Sequence, residues 1–252
     1  MSERPLGPDQ VNVDIVRSVM RNRIVVVGSS ASVIVGGGLV CGSDDGTDII
    51  TLPSDLTLTM PTDLDTGTET ATAWYYIWLM KNPTTGSVIG KFSLSLTSPV
   101  MPSGYTKKRL VSAVKNYSSN FIYFYQAGRQ VELSSQFNIY YGGLPVYPSW
   151  TGWQGVNGAV PFDLARTVNF YAWCVNANVD YILLSNTSDG TQHTLLYNDM
   201  ADHHTPGAWS TSTNVIQTLV AGPLIRFCAN SSYVITSPPL GQIAINGYEF
   251  TE

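Results

Sequence analysis

Short apolar runs, each ended by a cluster of turn-forming residues, recur along most of this chain. They are clearest in the central stretch Leu64–Gln126, where Pro, Gly, Asn and Ser separate Ala73–Met80, Val88–Leu96, Leu110–Val114 and Asn120–Gln126. Short runs that are rich in aromatic residues and bounded in this way are typical of β-strands. The chain is therefore predicted to be built from strands.

Two of these runs predict different environments. In Trp74–Met80 nearly every side chain is large, so a strand here is buried on both faces or carries an aromatic outer face. Lys91–Thr97 alternates between apolar and hydroxyl side chains, which is the period of a half-buried antiparallel strand. Its predicted inward residues are Phe92, Leu94 and Leu96.

A second series of runs follows Val160. Its members are Thr167–Val175, Val179–Ser185, Thr191–Tyr197, Val215–Val220, Leu224–Ala229, Tyr233–Ile235 and Gln242–Tyr248. Strands at such regular spacing, with turn signals between them, favour an all-β fold, an antiparallel β-sandwich or a jelly-roll-like arrangement. The 252 residues suffice for one large β-domain or two consecutive ones.

The predicted organisation has three parts. Residues 1–30 form an N-terminal anchoring arm, residues 31–142 a β-sandwich domain, and residues 143–252 a second β-domain or the second half of the sandwich. The boundary is placed in Gly142–Gly158, where Gly, Pro and aromatic residues show no clear period.

The arm contains an ambiguous segment, Val11–Arg23. Its apolar residues fit helical spacing, but those at its start also alternate like a strand. A short helix is favoured because Arg17, Arg21 and Arg23 crowd the C-terminal end, where the helix dipole stabilises cations. These arginines are predicted to anchor the arm to an acidic partner surface, and a solvated helix end is the alternative.

Charged residues make up only 12% of the chain, against a usual share of ~25%. Ser, Thr, Asn and Gly fill many polar positions instead, which suits a subunit packed against other subunits, where unpaired buried charge is costly. The net charge of −5 gives no attraction to nucleic acid or to an acidic membrane. Neither a secretory signal nor a membrane-spanning run is expected.

No catalytic motif is recognisable. A nucleophile elbow, a phosphate loop, a zinc-protease motif and a dinucleotide fingerprint are all lacking in the sequence, so no enzyme activity and no cofactor are predicted. Cys41, Cys174 and Cys228 are too few and too widely spaced for a disulfide framework or a metal knuckle, and are expected to be small buried side chains.

Two clusters of possible metal ligands receive a structural interpretation. Asp44–Asp48 crowds carboxylates around a glycine, but it lacks the ligand order of a calcium loop, so a hairpin turn is favoured over a cation site. His203 and His204 are adjacent and point opposite ways in an extended chain, so with His193 they indicate an exposed polar turn. No metal is predicted.

Five aromatic residues near the proposed boundary form the candidate binding site. They are Tyr140, Tyr141, Tyr147, Trp150 and Trp153. Flat aromatic faces among hydroxyl and amide groups can stack on the sugar rings of a host surface glycan. The alternative is that they cement two sub-domains or two subunits together.

The central stretch also resembles a known module. Leu64-Asp65-Thr66-Gly67, Trp74-Tyr75-Tyr76, and Pro102–Thr106 with Lys108-Arg109 follow one another as in structural proteins of tailed-bacteriophage virions, of the tail-fibre or head-decoration type. In the last strand of the module Leu110 and Ser112-Ala113 stand where Arg and Ile-Gly are common. The resemblance covers Leu64–Gln126, about a quarter of the chain.

The resemblance implies a virion component, made in the cytoplasm of a host bacterium. The expected partners are further copies of the chain, forming a symmetric oligomer such as a trimer, and other virion proteins. A host-receptor or glycan-binding module of a tail fibre is the alternative. A virion-borne glycan depolymerase is the least favoured hypothesis, because no pair of carboxylates stands out.

Overall fold

The computed structural model describes residues 20–145, 148–152, 154–161, 163–175, 181–185, 193–197, 213–218, 224–230 and 240–250. Within these residues the chain forms nineteen β-strands and no helix. The strands pair into several antiparallel sheets, consistent with a β-sandwich, so the predicted all-β fold class is confirmed.

The chain divides by its internal contacts into two compact units, Met1–Val131 (together with Glu252) and Glu132–Thr251. We call these unit 1 and unit 2. The division falls after residue 131 rather than at the predicted boundary after residue 142, and it lies near the start of a long strand, Gln130–Gly143.

Unit 1 contains eleven complete strands in three sheets. They are β1 (Met20–Arg21), β2 (Ile24–Ser29), β3 (Ser32–Val35), β4 (Leu39–Gly42), β5 (Ile49–Leu52), β6 (Leu56–Thr59), β7 (Thr72–Lys81), β8 (Val88–Ser93), β9 (Lys107–Tyr117), β10 (Asn120–Phe121) and β11 (Phe124–Ala127). The strand orders are β1-β4-β5, β10-β9-β7-β8 and, within the unit, β11-β2-β3-β6.

Strand β7 is the centre of unit 1, as its aromatic sequence predicts. It pairs with β9 along its whole length and with β8 along its second half. Four consecutive residues, Ile77–Met80, are buried, so this part of the strand is covered on both faces. The core continues through ring contacts from Tyr75 to Phe92 and from Phe92 to Phe121, with centroids 6.4 and 5.4 Å apart.

The alternating strand predicted over Lys91–Thr97 is wrong in its second half. Strand β8 ends at Ser93, and the side chain of Leu94, predicted to face inward, is 50% exposed. Ser93 Oγ accepts a hydrogen bond from the backbone N–H of Ser95. Short hydroxyl side chains offer the backbone such local bonds in place of a strand ladder, which explains the early end.

The helix predicted over Val11–Arg23 is wrong at its C-terminal end, the part that the structure describes. Met20–Arg21 form β1 and pair with Val40 and Cys41 of β4. Strand β2 follows within three residues and joins the sheet between β3 and β11. Pairing with a strand twenty residues away overrides the weak helical preference of this segment, since propensity is only a weak local bias.

Unit 2 holds the rest of β12 and seven further strands. They are β12 (Gln130–Gly143), β13 (Gln154–Gly155), β14 (Ala165–Val175), β15 (Tyr181–Ser185), β16 (His193–Tyr197), β17 (Thr213–Thr218), β18 (Leu224–Asn230) and β19 (Leu240–Phe250). Within the unit the strand orders are β17-β14-β19-β12 and β13-β18-β15-β16. Most runs of the predicted second series are thus strands, while Tyr233–Ile235 lies outside the described residues.

The long pair β14–β19 forms the middle of the first of these sheets. It extends from Ala165 opposite Phe250 to Val175 opposite Leu240, with two irregularities in register. Val168 and Phe170 on β14, and Ile243 and Ile245 on β19, are fully buried. Burial of such side chains stabilises a fold by about 1.5–3 kcal/mol each, so this pair contributes substantially to the core of unit 2.

Candidate functional site

The first motif of the central stretch, Leu64–Gly67, begins in a loop that is hydrogen-bonded to β8. Phe92 donates its backbone N–H to the carbonyl of Asp63 at 2.9 Å, and its own carbonyl accepts from the N–H of Asp65 at 2.8 Å. The Asp65 carboxylate accepts a hydrogen bond from the N–H of Val100 at 2.7 Å. This aspartate therefore ties together two loops that are far apart in sequence.

The aromatic residues of β7 make contacts that hold the surrounding loops and strands in place. Tyr75 is fully buried and its hydroxyl accepts the N–H of Thr70 at 2.6 Å. Trp78 is nearly buried and donates its indole N–H to the carbonyl of Ser95 at 3.2 Å. The ammonium group of Lys108 lies 4.8 Å from the centre of the Trp78 ring, a cation–π distance.

The third element is a turn that leads into β9. Gly104 has φ +83°, a conformation that L side chains rarely adopt, and a Cβ there would lie 2.7 Å from Nδ2 of Asn82. The N–H of Tyr105 donates to the carbonyl of Pro102 at 3.0 Å, closing the turn. The N–H of Thr106 then donates to the carbonyl of Lys81 at 3.2 Å, which aligns the start of β9 with the end of β7.

The carboxylates of Asp44–Asp48 are bound by basic side chains of the module and its neighbours. They lie in the turn between β4 and β5, so the predicted hairpin is confirmed. Lys107 lies 2.6 Å from Asp45, Lys81 lies 2.8 Å from Asp48, and Arg109 lies 3.9 Å from Asp44. These carboxylates are thus paired with basic side chains, and no group of three metal-ligating side chains occurs among the described residues.

These contacts lower the pKa values of the carboxyl groups. The hydrogen bond from Lys81 is the main cause of the lowered pKa of Asp48. Desolvation pushes the pKa of Asp45 upward, but hydrogen bonds from Lys107, Ser43 and Thr47 outweigh it and hold that pKa well below its usual range. Both groups are therefore charged at neutral pH and act as fixed anions in a surface ion-pair network.

The structure separates the described members of the predicted aromatic site. The ring of Tyr140 packs 6.4 Å from that of Phe227, and Trp150 stacks on the guanidinium of Arg226 at 4.8 Å. Arg226 and Phe227 are adjacent in β18, so their side chains lie on opposite faces of that strand. Tyr140 and Trp150 therefore do not form one continuous sugar-stacking platform.

Of the remaining three predicted aromatics, the structure describes Tyr141 alone. Tyr141 follows Tyr140 in β12 and points to the opposite face, where it is 65% exposed. Tyr147 and Trp153 lie outside the described residues. The hydroxyl of Tyr140 donates to the carbonyl of Gly143 at 2.5 Å, and desolvation raises its pKa. Tyr140 is thus held by its own strand.

The loop that carries Trp150 is attached to β18 by backbone contacts. The N–H of Thr151 donates to the carbonyl of Phe227 at 2.8 Å, and the N–H of Phe227 donates to the hydroxyl of Thr151 at 2.9 Å. Strand β13 continues this attachment further along β18. These contacts attach the loop to β18 within unit 2, and both interpretations of the aromatic residues stay predictions.

The predicted anchoring arginines are in different environments. Arg21 is exposed on β1. Arg23, which directly precedes β2, is only 3% exposed, and its Nε donates to the carbonyl of Gly128 in the β11–β12 turn at 2.5 Å. Arg17 lies outside the described residues.

The cysteines and histidines provide no site in the described residues. Cys41 and Cys228 are buried free thiols, as predicted, and desolvation raises their pKa values to about 11 and about 12. Such thiols are poor nucleophiles, because the thiolate is the reactive form. The backbone of His193 is in β16, while His203 and His204 lie outside the described residues.

A shallow cavity of about 190 Å³ opens on unit 1 between β6 and β8. Leu56, Leu58 and Ile89 line it, with Lys91 and Asp63 3.7 Å apart at its rim. One ion pair beside aliphatic walls offers neither a nucleophile nor a metal-binding set. No helix among the described residues is long and apolar enough to cross a membrane.

Comparison of the chain with protein-family profiles, with curated proteins and with solved structures gave no match. Sequence inspection also did not show that the second half of β12 is a partly exposed stretch without a buried residue. Apolar and polar residues alternate along this strand with one interruption, but alternation alone does not show which strands will lie beside it.

Proposed function

We propose that this chain is a structural subunit of a tailed-bacteriophage virion, a fibre, tail or head-decoration protein that assembles as a symmetric oligomer such as a trimer. The observation that carries the proposal is the ordered set of motifs from Leu64 to Arg109 that resembles a virion-protein module. A family resemblance does not by itself fix a function. Two further observations support the proposed structural role.

The module residues are used for structure in unit 1. Asp65, Tyr75 and Gly104 each hold a loop or turn by backbone hydrogen bonds or an unusual backbone conformation. Lys107 and Arg109 neutralise the acidic turn between β4 and β5. Because the characteristic residues of this module stabilise loops and turns, the module is suited to a protein with a structural role.

The surface chemistry also supports a subunit role. Only 12% of the residues are charged, and four ion pairs among the described residues engage Asp44, Asp45, Asp48 and Asp63. Hydroxyl and amide groups, which lose less on desolvation than charges, cover much of the remaining polar surface. Such a surface is suited to burial against other virion proteins.

The direct test is a protein inventory of purified particles. Particles from a culture that produces this chain from its native gene are purified on a density gradient, washed at high salt and analysed by mass spectrometry. We expect the chain in the particle fraction, at a copy number that is a multiple of the particle symmetry. Its presence only in the soluble lysate would reject the proposal, and immunogold labelling of positive particles would show whether it lies on the head, tail or fibre.

A further inference from the structure

Asparagine followed directly by glycine occurs twice in this chain, at Asn157-Gly158 and at Asn246-Gly247. In such a pair the backbone nitrogen of the glycine can attack the side-chain carbonyl carbon of the asparagine. Glycine favours this attack because it has no Cβ to block the approach and because its backbone adopts many conformations. The two pairs lie in opposite environments, so the fold is expected to separate their reactivity.

The pair Asn157-Gly158 lies in a turn between β13 and β14. The carbonyl of Val156 accepts the N–H groups of Ala159 and Val160, both at 3.0 Å. Asn157 is exposed, Gly158 is half-buried, and among the described residues the Gly158 N–H donates to no backbone carbonyl. Surface turns open at little cost in free energy, so the backbone at Asn157 can rotate into the geometry of attack.

The pair Asn246-Gly247 lies inside β19, which has β14 on one side and β12 on the other. Gly247 is buried and pairs with Asn169 of β14, and the half-buried Asn246 lies at an irregularity in that register. Rotation of the backbone at Asn246 would displace paired residues on both sides, so attack there requires local unfolding. Asn157 and Asn246 each make an interaction of their own, so the two sites differ in the backbone around them.

We propose that Asn157 is a site of self-modification, which in the folded protein converts slowly and selectively to aspartate and isoaspartate. The Gly158 nitrogen forms a bond to Cγ of Asn157, the Cγ–Nδ2 bond breaks, and the amide proton of Gly158 leaves with that nitrogen as ammonia. Water then opens the resulting cyclic imide. Opening at the side-chain carbonyl gives aspartate, opening at the main-chain carbonyl gives isoaspartate, and neither step is an oxidation or a reduction.

The surroundings of Gly158 leave little room for the isoaspartate product. A Cβ added at Gly158 would lie 2.9 Å from Cζ and 3.0 Å from Cε1 of Phe137 on β12. Val156, Ala159 and Val160 next to the pair are buried. Isoaspartate adds one methylene to the main chain and therefore shifts Gly158 against the Phe137 ring, whereas aspartate keeps the length of the main chain. The isoaspartate form should therefore unfold at a lower temperature than the Asn157→Asp variant, which reproduces the other product.

The experiment follows both pairs in the native full-length chain during prolonged incubation at mildly alkaline pH. The water is enriched in heavy oxygen, so each newly formed carboxyl group carries the label. The chain is digested at acidic pH, where little further reaction occurs, and mass spectrometry quantifies the labelled peptides. A methyltransferase specific for isoaspartate detects that product, and a parallel sample in denaturant measures both pairs without the fold.

In the folded chain the label should enter the Asn157 peptide about tenfold faster or more than the Asn246 peptide, because opening of a paired strand must precede reaction at Asn246. In denaturant the two rates should be similar, since each pair follows a β-branched residue, Val156 or Ile245. Asn157→Gln should abolish labelling of its peptide, because the longer side chain closes a less favourable ring. The matched Asn246→Gln variant should leave the rate at Asn157 unchanged.

Equal rates in the folded chain, a faster reaction at Asn246, or an Asn157 that reacts only in denaturant would each overturn the proposal. Thermal unfolding of the aged protein tests the effect on packing. Tm should fall as isoaspartate accumulates in the wild type and stay constant in aged Asn157→Gln, and an unchanged Tm in extensively modified wild type would refute that effect. The reaction needs no partner, so it is independent of the proposed virion role.

Discussion

Replacement of Ser112 by alanine tests how the two larger sheets of unit 1 are joined. Ser112 on β9 donates its hydroxyl to the side-chain carbonyl of Gln126 on β11 at 2.6 Å, and both residues are fully buried. Strands β9 and β11 belong to different sheets, so this is a buried polar link between two sheets. Gln126 also donates its amide to the carbonyl of Gly128 at 3.1 Å.

The expected cost follows from what remains buried. Ser112→Ala removes the donor and leaves the Gln126 oxygen in the core without this bond, which costs about 1–3 kcal/mol of unfolding free energy. In a Gln126→Met background the acceptor is already gone, so the same Ser112→Ala change should cost less than about 0.5 kcal/mol. The difference between the two backgrounds isolates the pair interaction.

The measurement is chemical unfolding followed by tryptophan fluorescence and circular dichroism, with the transition of unit 1 compared among the four variants of the cycle. Ser103→Ala, in an exposed turn, is the control and should change stability by no more than about 0.5 kcal/mol. Equal costs of Ser112→Ala in both backgrounds would refute the buried-pair reasoning.

Three further outcomes are expected. Because the pKa of Asp48 is lowered chiefly by Lys81, this ion pair stabilises the fold above the unfolded pKa of ~3.9, and the stabilisation is lost as pH falls through the folded pKa. Lys81→Met should therefore reduce the fall of Tm with decreasing pH below about pH 5. The same dependence of Tm on pH in the variant and the wild type would contradict this. Trp150→Ala should lower the free energy of unfolding by about 1–2 kcal/mol, because it removes the stacking on Arg226 of β18. Binding to a glycan array should equal that of the wild type. A loss of glycan binding without a loss of stability would support the sugar-site hypothesis. Cys41 and Cys228, with pKa values raised to about 11 and about 12, should react with a thiol reagent at pH 8 only after unfolding, and peptide-level labelling of the folded chain at either position would contradict their burial.

Much of the fold was predictable because its signals are local. The aromatic run of β7 and the alternation in β12 follow from residue size and period, and the turn between β4 and β5 follows from Asp44–Asp48. The end of β8 was not predictable from alternation, since Leu94 continues the pattern while nearby serines take over the backbone bonds. Local hydroxyl bonding competed with the strand and prevailed.

The candidate sites depended more on partners distant in sequence. The sequence predicts that Arg23 is a surface anchoring group. In the fold its Nε donates a hydrogen bond to the carbonyl of Gly128, which is 105 residues away in the chain. Tyr140 and Trp150 are close in sequence, yet they contact opposite faces of β18, more than seventy residues further on. Spacing along the chain cannot show which face of a distant strand a side chain will meet.

The sequence by itself determined the all-β class and the positions of most strands and turns, because hydrophobic period and turn chemistry act over a few residues. Only the tertiary structure decided that Met20–Arg21 pair with β4, that basic side chains neutralise the acidic turn, and that Ser112 and Gln126 form a buried pair. These features arise from pairings between segments distant in the chain, and the free energy of such pairings depends on the neighbours that the fold brings together.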